Sequence, residues 1–177
     1  MAHITGIELP IGWSEFGWPA NPNLSGITLT TGDPKWTWDP TAPAFEIHTL
    51  PPHEGEPIEG WSVDHVVVLV PSLEAAIATL GGAGLAPRLR MNVGDRPAAF
   101  FRAGPVLEVI ESPVRGAVIY GIAVTTEEPL ENLALAWRSR GLSIGPIKGA
   151  IQPGRRIFTV HDLDAGLAVM TPDRDFR

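Results

Sequence analysis

The strongest constraint on this chain is that its last two-thirds repeats. Leu73 recurs as Leu130, Glu74 as Glu131, and Gly84-Leu85 as Gly141-Leu142, a constant offset of 57. An internal repeat has to be found first, because each copy is one supersecondary unit that shares its core with the next. In the first copy Leu73, Ala76, Ile77 and Leu80 fall at i, i+3, i+4 and i+7, and in the second Leu130, Leu133, Ala134 and Trp137 do. That spacing predicts one apolar helix face per copy. Ser72 is placed to cap the first helix and Pro129 suits the first turn of the second. Gly81, Gly82 and Gly84 end the first, and Gly141 the second. An apolar strand precedes each helix, at residues 66–70 and 119–124. Three strand candidates follow each: 88–93, 98–102 and 106–111, then 144–151, 156–161 and 167–171.

Each copy therefore reads β-α-β-β-β, and the fold class expected is α+β. One helix covers one face of a four-stranded sheet, and the other face must be buried or used. Two units side by side curve their free faces into a shared cup, the natural place for a ligand. The expected division is one domain over 61–177, with module one at 61–115 and module two at 116–177. It follows an extension at 1–60.

That extension has its own composition. It holds nine of the 18 prolines and four of the six tryptophans, Trp13, Trp18, Trp36 and Trp38. Proline fixes φ and removes a donor, so short strands are expected rather than a long helix. Residues 26–31 alternate, Gly32-Asp-Pro34 turns, and residues 35–38 return as a hairpin partner. Residues 44–50 form another strand candidate. Aromatic side chains bury large areas, so the leader is expected to wrap on the body.

Composition excludes several functions. With 13 basic residues against 20 acidic and a net charge of -7, neither nucleic acid nor an anionic membrane is an expected partner. The chain has no cysteine, which removes thiolate metal sites and Cys nucleophiles. There is no apolar run of bilayer length and no secretory pattern at the N-terminus, so a cytoplasmic protein is expected.

The strings Asp64-His65-Val-Val-Val-Leu-Val-Pro-Ser-Leu-Glu74 and Leu107-Glu-Val-Ile-Glu-Ser-Pro113 resemble the vicinal oxygen chelate superfamily. This is the group of glyoxalases, bleomycin-resistance proteins and extradiol dioxygenases. The resemblance covers about residues 61–175. It implies that the first strand of a module supplies a His to a metal and the fourth a Glu, with three or four ligands from the two modules. His65 and Glu108 stand where the first pair should be. In the second copy Ile122 takes the His position and Leu167 or Ala168 the Glu position, and none of these ligates through its side chain. A single imidazole and a single carboxylate fall short of a catalytic metal site. No metal and no cofactor are expected.

On a strand, His65, Val67 and Leu69 share a face. If that face is the cup, His65 meets Glu108 across neighbouring strands. The pair reads either as a dyad for acid/base work, Glu108 orienting the imidazole, or as a hydrogen-bonded structural pair. Desolvation would raise the Glu108 pKa and suit it to proton abstraction beside a carbonyl. Glu111, at odd spacing, should face the helix side or the strand end. Arg88 and Arg90 share a face that could hold an anion or simply meet solvent. The expected cup walls are Val67, Arg90, Phe101, Tyr120, Ile122 and Phe158. His48, His53 and His161 read as surface histidines. No phosphate loop or nucleophile elbow is present.

Three readings follow. The first is a protein that binds a small, partly apolar organic ligand by a glyoxalase or bleomycin-resistance type cup. The second is a metal-independent lyase, isomerase or epimerase using Glu108 and His65. The third is an assembly role through the leader. A homodimer is expected.

Overall fold

The computed structural model describes residues 1–173, so the last four residues assigned to module two lie outside it. The leader forms a five-stranded sheet of β1 (His3–Leu9), β2 (Pro22–Leu24), β3 (Ile27–Thr31), β4 (Lys35–Asp39) and β5 (Glu56–Pro57), in the order β4-β1-β3-β2-β5. The expected hairpin of β3 with β4 does not form, because β1 lies between them, parallel to β3 and antiparallel to β4. Ile4, Ile7 and Leu9 of β1 are all buried, which fits a strand with neighbours on both sides. Gly6 lets Thr37 come close: an ideal Cβ there would lie 2.9 Å from the Thr37 Oγ1. Residues 44–50 are not a strand. Prolines at 40, 43, 51 and 52 interrupt the pattern, and only a bridge between Trp36 and Thr49 survives.

The body contains the two expected units. The first is β6 (Trp61–Val70), α1 (Leu73–Gly82), β7 (Leu89–Val93), β8 (Arg96–Arg102) and β9 (Val106–Glu111). The second is β10 (Val118–Thr126), α2 (Leu130–Ser139), β11 (Ser143–Ile144), β12 (Lys148–Gly149), β13 (Arg156–His161) and β14 (Gly166–Met170). They share one sheet, β11-β13-β14-β10-β6-β9-β8-β7, with β12 also paired to β13. The seam is the antiparallel pair of β6 with β10, and each module adds a parallel neighbour there, β9 and β14.

The helix ends follow the repeat. Leu85 N donates to the Leu80 carbonyl and Leu142 N to the Trp137 carbonyl, at 2.9 and 3.1 Å. These bonds close over Gly84 and Gly141, whose φ values of +82° and +89° an L side chain resists. Ser72 caps α1 as expected, accepting from Ala75 N at 3.3 Å. Glu111 accepts from Leu73 N at 2.9 Å and so sits on the helix side, a carboxylate at the positive end of α1.

The leader packs on the helix-bearing face. Phe16 meets Trp137 of α2 edge-on at 4.7 Å, Trp18 meets Trp61 at 4.9 Å, and Trp61 stacks on Trp137 at 6.0 Å. Ser25 Oγ donates to the Trp61 carbonyl at 2.8 Å, and Ile4 N to the Ala103 carbonyl at 2.9 Å. Leader and body thus share a single buried core. The opposite face of the large sheet is left for the cup. Phe16→Ala is expected to destabilise the whole chain by about 3–5 kcal/mol, the usual cost of deleting a buried aromatic ring. Denaturant unfolding followed by tryptophan fluorescence should show one cooperative transition moving to lower denaturant, not a separate leader phase.

Candidate functional site

The cup is shaped by the seam. Along it Val63 pairs with Val124 and His65 with Ala123, which leaves Asp64 as an extra residue; Val67 pairs with Gly121 and Val68 with Ile119, which leaves Tyr120 extra. A bulge of this kind re-aims a side chain. Asp64 and His65, consecutive in sequence, consequently both line the cup.

The two bulges are related by a local two-fold. Asp64 and Tyr120 stand 56 apart, and the pair His65–Ala123 maps onto Gly121–Val67 at the same offset. The parallel partners agree, since Val67 pairs with Glu108 and Ala123 with Ala168. The counterpart of His65 is therefore Gly121, and that of Glu108 is Ala168. The offset of 57 belongs to the helices, because two residues separate β6 from α1 and three separate β10 from α2. This corrects the sequence alignment, in which Ile122 held the His position. Ile122 borders the cup but pairs with Val66, within the buried core.

The polar centre is a cluster from both modules. His65 is 8% exposed and its Nδ1 lies 2.5 Å from Asp64 Oδ2. Arg155 grips the same carboxylate with both terminal nitrogens, Nη2 to Oδ1 at 2.9 Å and Nη1 to Oδ2 at 3.3 Å. Burial pushes the Asp64 carboxyl up, but hydrogen bonds from His65 and Arg155, with their charges, hold it below the usual carboxylate range. An ionised carboxylate only accepts, so the proton in the short contact is the one on Nδ1. Glu108 faces the same space. Burial pushes its pKa up, partly offset by the charge of His65.

Around this centre the cup has two halves that share His65, Glu108, Ile151 and Gln152, with volumes of about 520 and 510 Å³. These are the dimensions of small-molecule sites. The module-two half has a floor of small residues, Gly121 and Ala123 beside Gly166 and Ala168, with Ile157, Thr159 and Met170 above it. The module-one half is walled by Phe100, Leu89, Met91 and Val93. Ile151, 81% exposed, stands over both from the loop after β12.

Val67 and Tyr120 line the cup with His65 and Glu108. Arg90, Phe101 and Phe158 do not. Arg90 pairs with Ala99 in register and its guanidinium binds Glu74 of α1 at 2.8 Å, so it belongs to the helix side. Phe158 meets Trp137 edge-on at 6.0 Å, under α2. Phe101 is buried in register with Leu107, and it is its neighbour Phe100, opposite Glu108, that reaches the cup. In each case strand parity, not residue type, decides the face. His48, His53 and His161 are exposed. Asp64 and Arg155 are the residues that sequence reasoning passed over. An acid directly before the cup histidine was the available signal, but normal alternation would send it to the other face.

The cluster does not fit a metal site of the kind the resemblance implies. Among the described residues no group of three or more His, Asp or Glu is placed to hold a metal ion. Asp64 is already engaged by Arg155, and Gly121 and Ala168 offer no donor. Nor is Gly121 a position a ligand could reoccupy, since an ideal Cβ there would lie 2.1 Å from the Gly166 carbonyl oxygen.

No family model and no curated protein matches this chain. Solved structures do. A methylmalonyl-CoA epimerase from Mycobacterium tuberculosis superposes with a TM-score of 0.52 at 17% identity, over 64% of this chain and 89% of that one. A hypothetical protein from Bacillus halodurans gives 0.54 at 16%, over 65% and 96%. A Streptomyces coelicolor methylmalonyl-CoA epimerase in complex with 2-nitronate-propionyl-CoA gives 0.50 at 16%, over 63% and 94%. At these identities the likeness shows the fold, the glyoxalase fold of paired β-α-β-β-β units that the resemblance implied. No helix among the described residues is long and apolar enough to cross a membrane.

Gly121→Ala is expected to lower stability by about 1–3 kcal/mol or more through forced separation of β10 from β14, read by chemical denaturation. The two carboxylates should respond oppositely to pH. Asp64, with its pKa lowered by folding, contributes stability above the ordinary carboxylate range and loses it on acidification. Glu108, with its pKa raised, costs stability as pH rises above that range. Glu108→Gln should therefore raise the melting temperature near neutrality and leave it unchanged in acid.

Proposed function

We propose that this chain binds a small, partly apolar organic molecule in the cup and handles it without a complete metal site. The observation that carries this reading is the asymmetry of the seam. His65 and Glu108 occupy one half of a two-fold cup, while Gly121 and Ala168 make the matching half an apolar floor. A ligand would lay its apolar part on that floor and present a polar group to His65 and Glu108. The proposal includes membership of the vicinal oxygen chelate superfamily, supported by the shared fold and the His65 and Glu108 strings.

A second reading, proton transfer, is favoured by the Asp64–His65 contact. With Nδ1 held, the imidazole has Nε2 left for a substrate, and Glu108 is biased by burial toward its protonated form. Two titratable groups whose environments differ, facing one cavity, supply a base and an acid. A proton beside a carbonyl can be moved by such a pair of groups. Support of a weaker kind comes from two similar structures that are epimerases. The assembly reading loses its motive, because Trp13, Trp36 and Trp38 are buried inside the chain. A homodimer stays within the proposal, supported by β7 standing at the edge of the large sheet among the described residues.

The test is incubation in D2O with a series of enolisable carboxylic acids and their thioesters, followed by proton NMR. Loss of an α-proton signal is expected, slowed by about 10²–10⁴-fold in His65→Asn and Glu108→Gln, with ligand-induced thermal stabilisation retained. Stabilisation without exchange leaves binding and removes proton transfer. Stoichiometric metal bound through His65 and Glu108 in the purified protein would overturn the metal-free part.

A further inference from the structure

Among the described residues Arg155 is the only Lys or Arg that is fully buried, 7% exposed, and the functions proposed above make no use of it. A guanidinium out of water has to be paired and hydrogen-bonded. Its Nε donates to the Thr171 carbonyl at 3.0 Å, which ties it to the chain just after β14. Its two terminal nitrogens cross to the first module and hold Asp64. A bidentate fork fixes the plane of a carboxylate as well as its charge. Asp64 Oδ2 is shared, taking both the Arg155 Nη1 and the His65 Nδ1. The orientation set by Arg155 thus passes through one carboxylate to the imidazole.

We propose that Arg155 is the positioning residue of this site, holding Asp64 so that His65 keeps its proton on Nδ1 and turns Nε2 to the cup. The inference rests on His65 being a working group of the cup. Two features distinguish it from a structural ion pair that happens to lie nearby. The bulge at Asp64 places the gripped carboxylate directly beside the histidine instead of on the far face of β6. Arg155 also closes the loop that carries Ile151 and Gln152 over the cup, its carbonyl accepting from Ala150 N at 2.8 Å and its N–H donating to the Gln152 carbonyl at 3.2 Å. One residue therefore joins the mouth loop to the orientation of the ring. Freed of this chain of bonds, a neutral imidazole takes either tautomer.

The test reads the tautomer itself and needs no substrate. Long-range proton–nitrogen NMR of the full chain, at a pH where the ring is neutral, is expected to show His65 almost entirely as the Nδ1–H form. Arg155→Gln should give a mixture of tautomers, and Arg155→Lys, which keeps the charge and loses the fork, should restore only part of the order. Should Arg155→Gln fail to fold because Asp64 is left unpaired, the double variant Asp64→Asn with Arg155→Gln removes both charges together and should give the same mixture. An Nδ1–H population unchanged in the folded variants, or a wild-type ring in the Nε2–H form, overturns the proposal. If the tautomer shifts as expected but His65→Asn alters neither ligand binding nor exchange, the clamp stands and the functional reading falls.

Discussion

The antiparallel pairing of β6 with β10 is the interaction on which the rest depends. It joins two units that could not each bury both faces of a four-stranded sheet, and it does so about a local two-fold marked by a bulge on each strand. From that seam the parallel partners β9 and β14 are set, and from them the residues that meet over the cup. Glu108 faces His65 because Val67 pairs with it. Ala168 faces Ala123 for the same reason on the other side. The chemistry is thus decided by register, and a slip of one residue would turn Glu108 to the helices and Glu111 to the cup.

The two sides of the large sheet divide the work. The helices, the leader sheet and the aromatic group of Phe16, Trp18, Trp61 and Trp137 all lie on one side and form one core. No leader residue lines the cup. The leader thickens the wall behind the site instead of lidding it. Among the described residues the short loop carrying Ile151 and Gln152 reaches over the cup, anchored through Arg155 to the polar centre.

Much of this was legible in the sequence. The helix faces, Ser72, Gly84 and Gly141 are local signals with a stereochemical cause, and the structure uses each of them as expected. His65, Glu108 and the side taken by Glu111 followed from strand alternation. What alternation could not show was where it breaks. A bulge adds one residue without a distinctive residue type, so Asp64 was passed over and the second copy was aligned one position off, at Ile122. Phe101 and Phe158 failed for a related reason: apolar strands buried on both faces carry no pattern to say which residue looks into the cup. Arg90 failed differently, because β7 does alternate and it is its apolar set, Leu89, Met91 and Val93, that faces the cup. The leader hairpin failed because pairing between β1 and its two neighbours is non-local, while the Gly32-Asp-Pro34 turn is a local signal that promised a simpler partner.

The module-two half of the seam differs from the module-one half in more than its lack of donors. Gly121 and Gly166 are paired residues whose backbones approach so closely that no side chain fits at 121. Gly166 is in turn covered by the Tyr120 ring, whose Cε1 would lie 2.6 Å from a Cβ placed there. Tyr120 is the two-fold mate of Asp64. So where module one uses its bulge to bring a carboxylate to a histidine, module two uses the same bulge to lay a ring over Gly166. The same backbone device yields a polar, clamped cluster on one side and a flat apolar floor on the other. Restoring a histidine at 121 would require β14 to move away, and the wall formed by Ala168 and Met170 would move with it. The asymmetry is therefore held in the packing of the main chain.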